Sequence, residues 1–314
     1  MGQHTGAVGI DTVTLVSLFV EAVLYGLLIV LTIASTVVLV RKSRLSRSSI
    51  NKPMITASAL MFIFGTVHIA ADLQRLLDAF VRHVADHPGG AKGYLNQVNT
   101  PIYVLKSTVY GAQTLVGDAF IIYRLYLVWD GDKRIIIPLF ISFLASTGVG
   151  IGAVHGFALA APDAAIFLKD LQHWIVSFFS LTLCTNFVST ALIASRIWWI
   201  HHKTKALVSG RSILPAMVVI IESGAIYSAC LIILLALYLS GSYTQYIVLD
   251  AVTQVIGVVF SLVILRVALG ISSETKKTRT ARMTTLAFGS GKNGEPSSVE
   301  SEELPGTTVL RSYV

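Results

Sequence analysis

Seven apolar stretches, at roughly 17–40, 54–76, 103–129, 135–158, 173–199, 213–239 and 247–269, constrain this chain more than any other feature. Each is long enough to cross a hydrocarbon layer of about 30 Å at about 1.5 Å of rise per residue. Lipid offers a backbone amide no hydrogen-bond partner, so a crossing segment must be a helix. The predicted fold is an all-α membrane protein, a seven-transmembrane helix bundle over 17–270. A short N-terminus (1–16) precedes it and a tail (271–314) follows. Charged residues make up only 13% of the chain, about half the share usual in soluble domains. No length remains for a second folded domain.

Charge placement predicts orientation. Suppose the N-terminus and the connections 77–102, 159–172 and 240–246 share one side. That side then holds Arg75, Arg82, Lys92, Lys106 and Lys169, five of the 24 Lys and Arg residues. The other nineteen flank the opposite helix ends and the tail, which places the N-terminus outside and the tail in the cytoplasm. The net charge of +7 thus reads as contact with anionic lipid headgroups on the cytoplasmic side, not with nucleic acid. Trp129, Trp198 and Trp199 at cytoplasmic ends and Trp174 at an outer end fit an interfacial aromatic belt. The expected location is the plasma membrane.

Pro53, Pro101, Pro138 and Pro215 all stand near predicted helix starts, where a missing N–H costs little. Gly148, Gly152 and Gly156 form a small-residue face at i, i+4, i+8. Such a face lets another helix approach closely, either within the bundle or across a homo-oligomer. Cys184 and Cys230 lie inside predicted helices and suggest neither a disulfide framework nor a metal site. Beyond Gly270 the composition turns to Ser, Thr, Gly, Lys and Glu, which predicts a disordered tail.

Ionisable groups at membrane depth are costly, so each is a functional candidate. His68, Asp72 and Arg75 repeat at i, i+4, i+7 in the second stretch, and Asp250, Gln254, Gly257 and Ser261 form a stripe on the seventh. With His173 at the start of the fifth stretch, these residues predict an outward-facing ligand pocket. The alternative is that Asp72 and Arg75 satisfy one another and the histidines sit at the headgroups. Towards the cytoplasm, Asp118 falls near mid-membrane and Arg124 near the inner end of the same helix. Their separation turns them ~120° apart, so Arg124 is expected to pair with Glu222 of the sixth stretch, or else to extend to the headgroups.

Enzyme chemistry is not expected. The last stretch has no Lys for a Schiff base. His68, His155 and His173 show no zinc-ligand pairing on one helix, and His201-His202 is adjacent rather than i, i+4. Neither a Gly-rich phosphate loop nor a nucleophile elbow is present. No cofactor and no metal is predicted.

The segment GDAFIIYRLYLVW (117–129) resembles a group of mostly uncharacterised seven-helix integral membrane proteins of mushroom-forming fungi. The segments TVHIAADLQRLLDAF (66–80) and IIESGAIYS (220–228) resemble the same group. The resemblance implies a fungal origin and a seven-helix bundle, with Asp118, Tyr123, Arg124, Trp129, Glu222 and Tyr227 at motif positions. A looser analogy links Tyr123-Arg124 to the acidic-Arg-aromatic motif of G-protein-coupled receptors. Against it, the chain has no cysteine at the outer end of helix three, no Asn-Pro motif in helix seven and no proline inside helix six. The expected function is that of a receptor for an unknown ligand, with a G protein as a candidate partner. The alternatives are a carrier using Asp118, Glu222 and Asp250, or a structural membrane protein.

Overall fold

A computed structural model of the chain describes residues 9–46, 52–82, 89–160, 169–204 and 214–288. Among the described residues there is no strand. They form α1 (Ile10–Ser46), α2 (Lys52–Leu77) with a π-helical turn at Asp78–Arg82, α3 (Gly90–Asn96) and α4 (Pro101–Val128). These are followed by α5 (Lys133–Leu159), α6 (Lys169–Thr204), α7 (Leu214–Leu239) and α8 (Gln245–Phe288). The long helices alternate in direction, so α1, α4, α6 and α8 start at one end of the bundle, termed here the first end.

Six helical segments are long and apolar enough to cross a membrane: Ile10–Arg41, Pro53–Arg82, Lys133–Leu159, Leu171–Ile200, Ile221–Leu239 and Gln245–Arg266. The six do not include α4, whose 28 residues hold Lys106, Gln113, Asp118 and Arg124. Its neighbours explain why it tolerates them. α4 packs against α2, α5, α6 and α8, so it stands inside the bundle.

The distribution of side chains is inverted relative to a protein folded in water. Phe19 of α1, Ile151 of α5 and Phe187 of α6 are 71%, 66% and 65% exposed, while Glu21, His68, Gln113 and Gln254 are fully buried. An apolar exterior around a polar interior suits lipid as solvent. The chain is a multi-pass integral membrane protein.

Packing within the bundle uses small residues at two places. A Cβ on Gly257 would stand 2.8 Å from Leu28 Cδ1, and one on Gly65 would stand 3.0 Å from Leu28 Cδ2, so both glycines make room for α1 against α2 and α8. The α5 glycine face is also used internally. A Cβ on Gly152 would meet the Trp174 ring at 2.7 Å and one on Gly156 would meet Leu171 at 3.1 Å, both on α6. Of the three glycines on this face, only Gly148 has open space around it. Close helix approach at this face is therefore satisfied within one chain.

Three boundaries differ from expectation. The connection 77–102 contains α3, a short helix that packs on α1 and the π-turn. Pro138 is the sixth residue of α5, because the helix starts at Lys133, where Asp132 caps the amide of Arg134 at 3.0 Å. α8 continues past Gly270 to Phe288. A packed span supplies the helix nucleus, and Glu, Lys, Arg, Ala and Met then extend it at little cost. The rest of the predicted tail, 289–314, the N-terminal residues 1–8 and the 161–168 connection lie outside the described residues.

Candidate functional site

The site is built from four helical stripes near the first end of the bundle. α1 contributes Ser17 and Glu21 (i, i+4), and α2 contributes His68, Asp72 and Arg75 (i, i+4, i+7). α4 contributes Tyr103, Lys106 and Tyr110 (i, i+3, i+7), while α8 contributes Tyr246, Asp250 and Thr253-Gln254. These spacings keep each set on one helix face. All are buried.

Lys106 lies at the centre. Its Nζ is 2.5 Å from Asp72 Oδ1 and 2.6 Å from Asp250 Oδ1, with all three side chains at most 4% exposed. One ammonium thereby holds α2, α4 and α8 together. Ser17 donates from α1 to Asp250 Oδ2 and, at 3.2 Å, to the Tyr246 carbonyl. His68 Nδ1 is 2.7 Å from Glu21 Oε1 and 3.7 Å from Asp72 Oδ2. Gln254 Nε2 donates to Glu21 Oε1 at 2.9 Å and to the Gly65 carbonyl at 3.1 Å. Gln113 Nε2 closes the lower edge on the Thr253 carbonyl at 2.6 Å.

Glu21, His68 and Asp72 each offer a ligating atom, and these lie within 4.8 Å of one another. Glu21 Oε1 is committed to His68 and Gln254, and Asp72 Oδ1 to Lys106, whereas Glu21 Oε2 and Asp72 Oδ2 are buried without a hydrogen-bond partner. The Lys106 ammonium supplies internally the positive charge that a cation would otherwise bring.

Arg75 sits above this cluster and does not pair with Asp72. Its NH2 donates to the carbonyls of Leu95 (2.5 Å) and Gln97 (3.2 Å), and its guanidinium lies 4.4 Å from the Tyr103 ring centroid. It ties α3 and the following turn over the polar core. Nearby, Tyr94 donates to Asp78 at 3.5 Å. Burial first, and the Asp78 carboxylate second, hold the Tyr94 phenol above its ordinary pKa.

Of the predicted pocket, His68, Asp72, Asp250 and Gln254 do converge, with Arg75 at the rim. His173 does not join them; it is exposed on α6, whose inward face is Leu171, Ile175, Phe178 and Phe179. The converged residues form a packed polar core, and His68 also lines a cavity beside it. Glu21 and Lys106 were missed as members. Lys106 reads as a flanking charge by its place near the end of an apolar run, and Glu21 is the lone acid within the first run. That isolation was the signal available in the sequence.

The predicted Arg124–Glu222 pair does not form. Glu222 is exposed, and its Oε2 lies 3.9 Å from Arg266 of α8. The inward face of α7 is set by Gly224, Tyr227 and Leu231, and at 100° per residue Glu222 turns about 160° away from Gly224. Among the described residues no carboxylate pairs with Arg124. Its guanidinium lies 5.9 Å from the Phe120 ring centroid and lines a cavity of about 80 Å³ among α4, α6, α7 and α8. Asp118 is 1% exposed, and its Oδ2 has no hydrogen-bond partner.

A larger cavity, about 500 Å³, lies beside the polar core. It runs down α4 from Tyr103 to Leu115 and along α5 from Thr147 to Ala158, with Phe178, Phe179 and Tyr238 behind. Lys106 and His68 belong to its inner wall, as does Gln245. No protein-family model matches the chain, and a comparison with characterised proteins finds no match.

Proposed function

We propose that the chain is a receptor-like membrane protein with seven spans, α4 being the third, and with the N-terminus outside and the end of α8 in the cytoplasm. The observation that carries this reading is the ionic lock at Lys106. It joins α2, α4 and α8 through short contacts to one ammonium, and Ser17 and Glu21 bind α1 to the same group. A ligand that engages or displaces Lys106 prefers one packing over another, which is the thermodynamic requirement for a switch.

The charge asymmetry supports the orientation more strongly once burial is counted. Arg75 and Lys106, two of the five cations on the first-end side, are buried within the protein. The resemblance of 117–129 and 220–228 to the fungal seven-helix group supports the seventh span. The plasma membrane is the proposed location, and Arg124, beside the inner cavity, is the proposed contact to a G protein.

The test is to purify the protein from its own membranes and ask whether a G-protein α subunit accompanies it and is released by guanine nucleotide. The expected result is nucleotide-sensitive association that Arg124→Ala abolishes while the amount of inserted protein is unchanged. No association, together with ion or proton flux in proteoliposomes that Asp118→Asn abolishes, would replace the receptor reading with that of a carrier.

A further inference from the structure

We propose that the cavity between α4 and α5 is a binding site for a neutral lipid entering sideways from the bilayer. The ligand class is an elongated, uncharged molecule with one hydroxyl or carbonyl head. This concerns binding alone and holds whether or not binding is signalled.

The shape comes first. α4 and α5 are joined by the tight turn at Trp129–Asp132 and packed there through Ile122, Leu125 and Leu139. Farther along, Tyr103 meets Phe157 edge-on with ring centroids 5.3 Å apart. Between these two contacts the helices enclose the cavity. Tyr103 and Leu115 are twelve residues apart, so it is ~18 Å long. Its volume of about 500 Å³ lies within the range of small-molecule sites. Thr108, Ile151, His155 and Ala158 line it and are exposed, so its mouth opens on the apolar outer surface between α4 and α5.

The walls then set the chemistry. Most of the lining is apolar or aromatic, and polar groups concentrate at one end. There Gln245 is 3% exposed, and its Nε2 has no hydrogen-bond partner. A buried amide donor left without an acceptor is costly, so this donor is aimed at a partner the protein does not supply. Lys106, another donor, lines the same cavity. A ligand head at this end must therefore accept hydrogen bonds.

Charge narrows the choice further. The ammonium of Lys106 is already matched by Asp72 and Asp250, with Glu21 behind them. A carboxylate or phosphate head would meet an ammonium whose two carboxylate partners are already in place, and would stand close to both. A cationic head would meet the donor face of Lys106 and Gln245 first. An uncharged hydroxyl or carbonyl oxygen satisfies the Gln245 amide without either conflict.

The experiment uses the full-length protein in phosphatidylcholine nanodiscs and diazirine-bearing analogues of 1-hexadecanol, cholesterol, palmitic acid and hexadecylamine, with cross-links mapped by mass spectrometry. The expected result is saturable labelling of 103–115 and 147–158 by a neutral-headed probe, at least tenfold above that by either charged probe. Competition by unlabelled 1-hexadecanol or by cholesterol tells a chain-type from a ring-type ligand. A Cβ at Gly111 meets nothing within 4 Å, so Gly111→Leu fills the cavity without a backbone clash and lowers saturable labelling more than tenfold. Gln245→Leu lowers it about tenfold, the effect of one lost hydrogen bond of about 1.4 kcal/mol. Ser107→Leu serves as the second filling variant if Gly111→Leu does not fold. Labelling that does not saturate and persists in a filling variant would mean ordinary surrounding lipid and overturn the proposal. Equal competition by palmitic acid would overturn the neutral head. Neither result touches the receptor reading, which is tested by nucleotide-sensitive association.

Discussion

Replacing Lys106 by Met removes one charge from the centre of the polar core while keeping most of the side-chain volume. Asp72 and Asp250 then remain buried, at 3% and 2% exposure, without their common counter-charge. At contact distances of 2.5 and 2.6 Å, each pairing is worth roughly 6 kcal/mol of gross Coulomb energy at an effective dielectric constant of about 20. Desolvation of the three ions cancels much of this, and removing one partner of such a group costs about 3–5 kcal/mol net. The assay is reversible unfolding in mixed micelles, by titrating SDS against a mild detergent and following tryptophan emission. Lys106→Met should lose about 3–5 kcal/mol, whereas Lys106→Met combined with Asp72→Asn and Asp250→Asn should recover most of that loss. The rescue separates an electrostatic role from a packing one, because the triple variant retains the apolar side chain at 106. A single variant within about 1 kcal/mol of wild type, or a triple variant with no recovery, would refute the assignment of Lys106 as the counter-charge.

Other perturbations probe the surroundings. Gly257→Ala drives a Cβ to 2.8 Å from Leu28 and should cost about 1–3 kcal/mol in the same titration, the usual range for overpacking. Glu222→Gln should change stability by less than about 0.5 kcal/mol, since its contact with Arg266 is long and more than half exposed on both sides. Arg75→Met removes the donor to the Leu95 and Gln97 carbonyls. It should raise amide hydrogen exchange across 89–97, with little change at Asp118 and below.

The sequence made the apolar helices readable because lipid imposes length and hydrophobicity on any segment that crosses it. The stripe positions were readable too, since Asp72 follows His68 by four residues and Gln254 follows Asp250 by four, which fixes each pair to one helix face. What could not be read was which face meets which partner. Arg75 lies one turn from Asp72, yet it reaches the Leu95 and Gln97 carbonyls, because α3 brings those acceptors closer than any carboxylate. Glu222 has the right depth to meet Arg124, but the inward face of α7 is fixed by Gly224 against Thr190 and by Tyr227, and Glu222 turns outwards. Depth follows from counting residues along a helix. Azimuth depends on the packing of neighbours, which a single chain does not disclose.

Lys106 illustrates the same limit and its consequence. Near the end of an apolar run a lysine normally extends its amine towards the headgroups, and here that route is not taken. Two carboxylates on flanking helices wait inside the bundle, and pairing with both leaves fewer buried charges unmatched. Because α4 is surrounded by α2, α5, α6 and α8, this inward turn places one ammonium at two boundaries at once. On one side it fastens α4 to α2 and α8; on the other it forms part of the cavity wall. Any occupant of the cavity that shifts Lys106 therefore changes the strength with which three helices are held, and no separate relay is needed between binding site and helix packing. Gln254 extends that dependence to α1 through Glu21, with Gly65 and Gly257 keeping α1 close enough for the bond to form. Loosening Lys106 should consequently loosen α1 as well, since Ser17 of α1 donates to the same Asp250 that Lys106 holds.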